Sequence, residues 1–114
     1  MKLSRKKAEQ LRKAVQDALV AEFQSLFAPE NDTEGYYRKA LDRDVYVQAD
    51  APGQWAPNAE LEIYTEQGIP GMDYGYDAYT GVKGWNGVSS RLQEAGWPYY
   101  AEFINGAVVA IYHV

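Results

Sequence analysis

The segment YYAEFINGAVVAIYHV, residues 99 to 114, constrains the fold more than any other. Asn105-Gly106 stands there between two strand-like runs, the chemistry of a two-residue hairpin turn. Such a turn sets a register in which Phe103 opposes Val108, Ala101 opposes Ala110 and Tyr99 opposes Tyr112. Tyr100, Glu102, Ile104, Ala107, Val109 and Ile111 then share the other face. Both faces are largely apolar, so the hairpin must be central and covered on both sides, or covered on one side by a partner. The second option implies a homodimer through the C-terminal hairpin, decided by Tyr100, Glu102, Val109 and Ile111.

A cover for one face is easy to find. From Ser4 to about Phe27, Leu11, Val15, Leu19, Phe23 and Leu26 recur at spacings of three and four, which predicts a long amphipathic helix ended by Pro29. Asp32 or Thr33 can cap a short helix over EGYYRKALD. DVYVQAD and ELEIYTE alternate as half-buried strands do, with Val45, Val47 and Ala49 inward in the first and Leu61 and Ile63 inward in the second. A further short helix over VSSRLQEA takes Asn86 as its cap and Gly96 as its stop, with Pro98 just beyond. The expected fold class is therefore α+β: one domain over residues 1–114, with the N-terminal helix packed on a roughly four-stranded antiparallel sheet that ends in the hairpin.

Catalytic and metal chemistry find little foothold. The chain has no cysteine, which removes disulfides and thiolates and permits a reducing cytoplasm. Its single imidazole, His113, sits at the end of a terminal strand and reads as a histidine lying on the sheet. Asp73 and Asp77 are four apart in MDYGYDAY and do not reproduce a calcium loop, and the nearby glycines lack the spacing of a phosphate loop. No cofactor, metal or catalytic residue is expected, and an enzyme is the minority reading. The opening MKLSRKK leads into a charge-interrupted helix rather than a signal peptide, and no run approaches a membrane span. A cytoplasmic protein without membrane contact is the expectation.

Charge is the more telling feature. The first 20 residues carry six cations against Glu9 and Asp17, a balance of +4, so the remainder carries −9 of the net −5. Between Asp44 and Val82 there is no lysine or arginine, yet there are seven acids. Within that span GIPGMDYGYDAYTGVKGWNG begins, with six glycines and three tyrosines over residues 68 to 87. Tyrosine gives broad contact at low entropic cost, so the candidate partner-binding residues are Glu60, Glu62, Glu66, Asp73, Tyr74, Tyr76, Asp77, Tyr79 and Trp85. The expected function is binding of a protein partner by an acidic, tyrosine-rich face, in its sharpest form an inhibitor imitating the charge of nucleic acid. Small anti-defence proteins of phages, anti-CRISPR proteins among them, are similar in character, though the likeness is not one of sequence. The alternatives are a nucleic-acid-binding module using Lys6, Arg12 and Lys13 of the basic helix, and a ligand-binding protein or enzyme with a pocket under the glycine- and tyrosine-rich loop.

Overall fold

A computed structural model of the chain describes residues 3–65, 84–105 and 107–114. Helix α1, Arg5–Glu22, buries Ala8, Leu11, Val15, Ala18 and Leu19 along one side, as their spacing requires. The Ser4 hydroxyl caps it, accepting from the Lys7 amide at 3.3 Å. The expected uninterrupted helix to Phe27 breaks at Phe23 (φ −105°, ψ 46°), and α2, Gln24–Phe27, follows as a single turn. The break turns both Phe23 and Phe27 into the core, where Phe23 meets Trp85 at a ring separation of 5.9 Å. Ala28 is extended, as the residue before Pro29 must be.

Helix α3, Tyr36–Asp44, has Asp32 as its anchor: the carboxylate accepts from the amides of Tyr37 at 2.9 Å and Arg38 at 3.1 Å. Helix α4, Gly84–Glu94, starts two residues before the expected cap at Asn86. It stops as expected at Gly96, whose φ of 93° lets Trp97 N–H reach the Leu92 carbonyl and Gly96 N–H reach Gln93. That pair of bonds satisfies two carbonyls the helix end would otherwise orphan.

Strands β1 (Val45–Val47), β2 (Leu61–Tyr64), β3 (Tyr99–Asn105) and β4 (Val108–His113) form one antiparallel sheet in the order β1-β2-β4-β3. The protein is thus α+β, with a long N-terminal helix and a C-terminal hairpin. β1 is shorter than its sequence pattern implied, because Gln48–Asp50 turn into a 3-10 helix and carry Ala49 out to the surface.

The hairpin differs from expectation in register. Tyr99 faces His113, Tyr100 faces Tyr112, Ala101 faces Ile111, Glu102 faces Ala110 and Phe103 faces Val109, while Asn105 faces Val108. An irregularity between Phe103 and Asn105 inserts Ile104 as an extra residue, and the Asn105 side chain accepts from Ala107 N–H at 2.8 Å. One residue of slip exchanges the faces of one strand relative to the other. Val109 and Ile111 therefore leave the side of Tyr100 and Glu102 and join Val45, Val47, Leu61 and Ile63 beneath the helices, each at most 8% exposed. Of the four residues on which a homodimer turned, Val109 and Ile111 are thus core of this chain beneath α1 and α4, and Tyr100 and Glu102 lie on the other side of the sheet.

Arg12 closes the β1 edge. Its guanidinium donates to the Val45 carbonyl at 2.6 Å and to the Asp42 carbonyl at 2.7 Å, covering at once a sheet edge and the end of α3. On the opposite edge α4 does similar work, since Ser89 Oγ accepts from Ala101 N–H at 2.9 Å and Gln93 Nε2 donates to the Tyr99 carbonyl at 3.2 Å.

The register makes a direct prediction. Ile111→Ala should cost about 2–5 kcal/mol in chemical denaturation, as core truncations do, whereas Glu102→Ala should stay within about 0.5 kcal/mol, as exposed sites do. Comparable losses at both positions would contradict the slipped hairpin.

Candidate functional site

The sheet has a second face, and its residues are read off the register. One row crosses all four strands as Tyr46, Glu62, Ala110 and Glu102, and beside it lie Tyr64 with Val108 and Tyr100 with Tyr112. No helix covers this side among the described residues. It is covered in part by the connection between the 3-10 turn and β2, whose Ala56 and Ala59 are buried against Ala110. Alanine at all three points lets backbone lie close to the sheet.

Glu62 fixes that connection in place. Its side chain is fully buried, and the carboxylate accepts from Trp55 N–H at 3.2 Å, Ala56 N–H at 3.0 Å and the Tyr64 hydroxyl at 3.1 Å. Tyr64 Oη in turn accepts from Gly53 N–H at 2.8 Å. Among the described residues no cation pairs with Glu62, so hydrogen bonds alone compensate for its desolvation. Gln54, between the anchored residues, has a φ of 45°, a left-handed conformation that costs a non-glycine residue about 1 kcal/mol or more and persists where its surroundings hold it.

The consequence is the placing of Trp55. Its indole lies over Gly53, where a Cβ would strike the ring, and it is 61% exposed. Trp55, Tyr46, Tyr64 and Val108 line a groove of about 530 Å³ whose rim carries Arg43, Asp44 and Asn105. Tyr46 and Tyr64 meet edge to face at 5.2 Å, and Tyr100 and Tyr112 lie 5.8 Å apart further along the sheet. Arg43 is held by Asp44 through two bonds of 2.9 Å, which keep its guanidinium protonated even further above the usual range.

These placements revise the candidate site. Glu60 and Glu62 do not form an exposed acidic face: Glu62 is spent on the connection, and Glu60 turns inward to accept from the Leu3 amide at 3.2 and 3.3 Å. Trp85 is a core residue, 6% exposed against Phe23. Glu66, Asp73, Tyr74, Tyr76, Asp77 and Tyr79 lie outside the described residues. Of the aromatic residues gathered on this face, reasoning from sequence passed over Tyr46, Trp55 and Tyr112 as partner contacts, grouped Tyr64 with the glycine- and tyrosine-rich loop and placed Tyr100 on a dimer face. Their signal was available, since Tyr46 and Tyr64 occupy the strand positions opposite in phase to the valine, leucine and isoleucine set.

His113 lies on the sheet with its ring edge-on to Tyr99 at 5.0 Å, as a strand-end histidine should. Among the described residues no group of three or more histidine, aspartate or glutamate side chains is placed to hold a metal ion, and no helix is long and apolar enough to cross a membrane. No protein-family model, curated protein or solved structure matches the chain.

Burial raises the Tyr64 phenol above its usual 10.0, with Glu62 adding to the rise. Burial likewise raises Tyr112, helped by Glu102, Tyr100 and Glu62. A phenol whose folded value exceeds its unfolded one contributes stability that is present below about pH 10 and lost as pH rises through the folded value. Alkaline titration followed by phenolate absorbance and circular dichroism should show the last tyrosines ionising together with loss of structure. Tyr64→Phe should flatten the fall of stability above pH 10, and an unchanged slope would refute the assignment.

Proposed function

We propose that the chain is a small binding protein that takes up a protein partner on the aromatic face of its sheet. The observation that carries the reading is Trp55, 61% exposed beside Tyr46 and Tyr64 and held there by a fully buried carboxylate. Tryptophan and tyrosine dominate the energetics of protein interfaces because they offer large apolar area with a polar handle and few rotors. Exposing an indole to water is unfavourable for folding alone, and fixing it with a buried, strained connection adds to that cost. A contact that uses the ring accounts for both.

The narrower version, an inhibitor that offers negative charge to the basic channel of a nucleic-acid-handling complex, draws its support from the net charge of −5 and the cation-free span from Asp44 to Val82. Glu60 and Glu62 do not present their carboxylates at the surface for a contact of that kind, since both are turned inward. Glu102 is the exposed acid on the aromatic face.

The alternative of nucleic-acid binding by α1 has less to draw on. Arg5 pairs with Asp50 at 2.8 Å, Lys13 with Asp17 at 2.8 Å, and Arg12 is occupied by two carbonyls. A pocket under the glycine- and tyrosine-rich loop falls outside the described residues.

The test compares three immobilised proteins in one cell extract: wild type, a face variant carrying Trp55→Ser and Tyr46→Ser, and a helix variant carrying Lys6→Glu and Lys7→Glu, each checked for a cooperative melt. A partner held by wild type and the helix variant and lost, by tenfold or so, from the face variant is the expected result for an anchoring aromatic pair. Capture that survives the face variant and fails with the helix variant would overturn the reading.

A further inference from the structure

We infer that the groove between Trp55, Tyr46 and Tyr64 receives an arginine side chain of the partner; this rests on the partner-binding reading and specifies its chemistry. Three aromatic side chains line the same groove, and an aromatic face attracts a cation through its negative quadrupole. Tyr64 is better suited to this than an ordinary tyrosine. Its hydroxyl keeps its proton and donates it to the Glu62 carboxylate at 3.1 Å, a bond that polarises the O–H and makes the ring face more negative.

Charge points the same way. Glu62 brings a full negative charge under the groove with no cation paired to it among the described residues, and the medium around it is dry. Its own bonds are short-range and leave its field to act on whatever enters. Arg43, the one cation lining the groove among the described residues, is already held bidentate by Asp44, so it presents little repulsion to a second guanidinium. Arginine suits the groove better than lysine because it is less strongly hydrated and stacks flat on rings, whereas an ammonium must give up a tight water shell.

The test uses the whole chain, labelled with ¹⁵N, and a blocked Gly-Arg-Gly peptide as probe. A blocked Gly-citrulline-Gly peptide, neutral and of nearly the same shape, is the control. The Trp55 indole N–H, assigned by its absence in Trp55→Leu, should shift saturably with the arginine peptide at millimolar concentration and little with the citrulline peptide. Trp55→Leu keeps an apolar side chain but no ring, and the affinity read at neighbouring amides should fall about threefold to fivefold. Equal shifts with the two peptides, or none with either, would overturn the inference. Partner capture distinguishes the two levels: if the partner still depends on Trp55 while the arginine peptide fails, the arginine claim falls and the binding face stands. If both fail, the binding face falls with it.

Discussion

A carboxylate without any exposed surface and, among the described residues, without a cationic partner is an expensive thing to build into a protein of this size, and much of the second sheet face depends on it. Glu62 stands in the middle of the sheet, in line with Tyr46 and Ala110, and gathers the amides of Trp55 and Ala56 and the hydroxyl of Tyr64. Ionised and desolvated, a carboxylate loses several kcal/mol of hydration, which hydrogen bonds from fixed donors can offset. The two amide donors come from a connection with no helix or strand of its own. The carboxylate therefore serves as the template on which that connection takes shape, including its left-handed Gln54.

The other face is organised by apolar packing, with two charged tethers across it. Arg12 ties α1 to α3 and to the β1 edge, and the inward carboxylate of Glu22 meets Arg91 at 2.7 Å, joining the end of α1 to α4. Glu22 lies against Gly87, in the space a Cβ would occupy, so α4 approaches α1 there as only a glycine allows. The result is a helical layer on one side and a sheet whose other side is held, among the described residues, by the buried Glu62 carboxylate and a small alanine cluster. Function is better accommodated on the second side, since aromatic rings can be exposed there without opening the main core.

The architecture was legible in the sequence because each element repeats its signal. Leu11, Val15 and Leu19 specify one helical face, Leu61 and Ile63 one strand face, and Gly96 followed by Pro98 a helix stop, and each of these positions is occupied as the pattern implies. The hairpin register was not, since Asn105-Gly106 fits a simple turn equally well and the extra residue at Ile104 follows from where β4 must pair with β2. Alternation placed Glu62 opposite in phase to Leu61 and Ile63. It said nothing of whether that phase was wet, because the cover comes from a connection recognisable only by Ala56 and Ala59 among its turn residues. The same blindness hid the candidate site: strand pairing brings Tyr46 and Tyr64 together, and Trp55 joins them only once Glu62 has drawn residues 53–56 onto the sheet.

Glu62 holds the connection and thereby the groove. Amide hydrogen exchange on Glu62→Ala measures this most directly, with Ile111 and Leu19 as reporters of the core. Protection at Trp55 and Ala56 should fall by a factor of ten or more, corresponding to loss of bonds worth about 1.5–3 kcal/mol, while the core amides remain protected. Protection at Trp55 and Ala56 that falls no further than that of the core amides would contradict it.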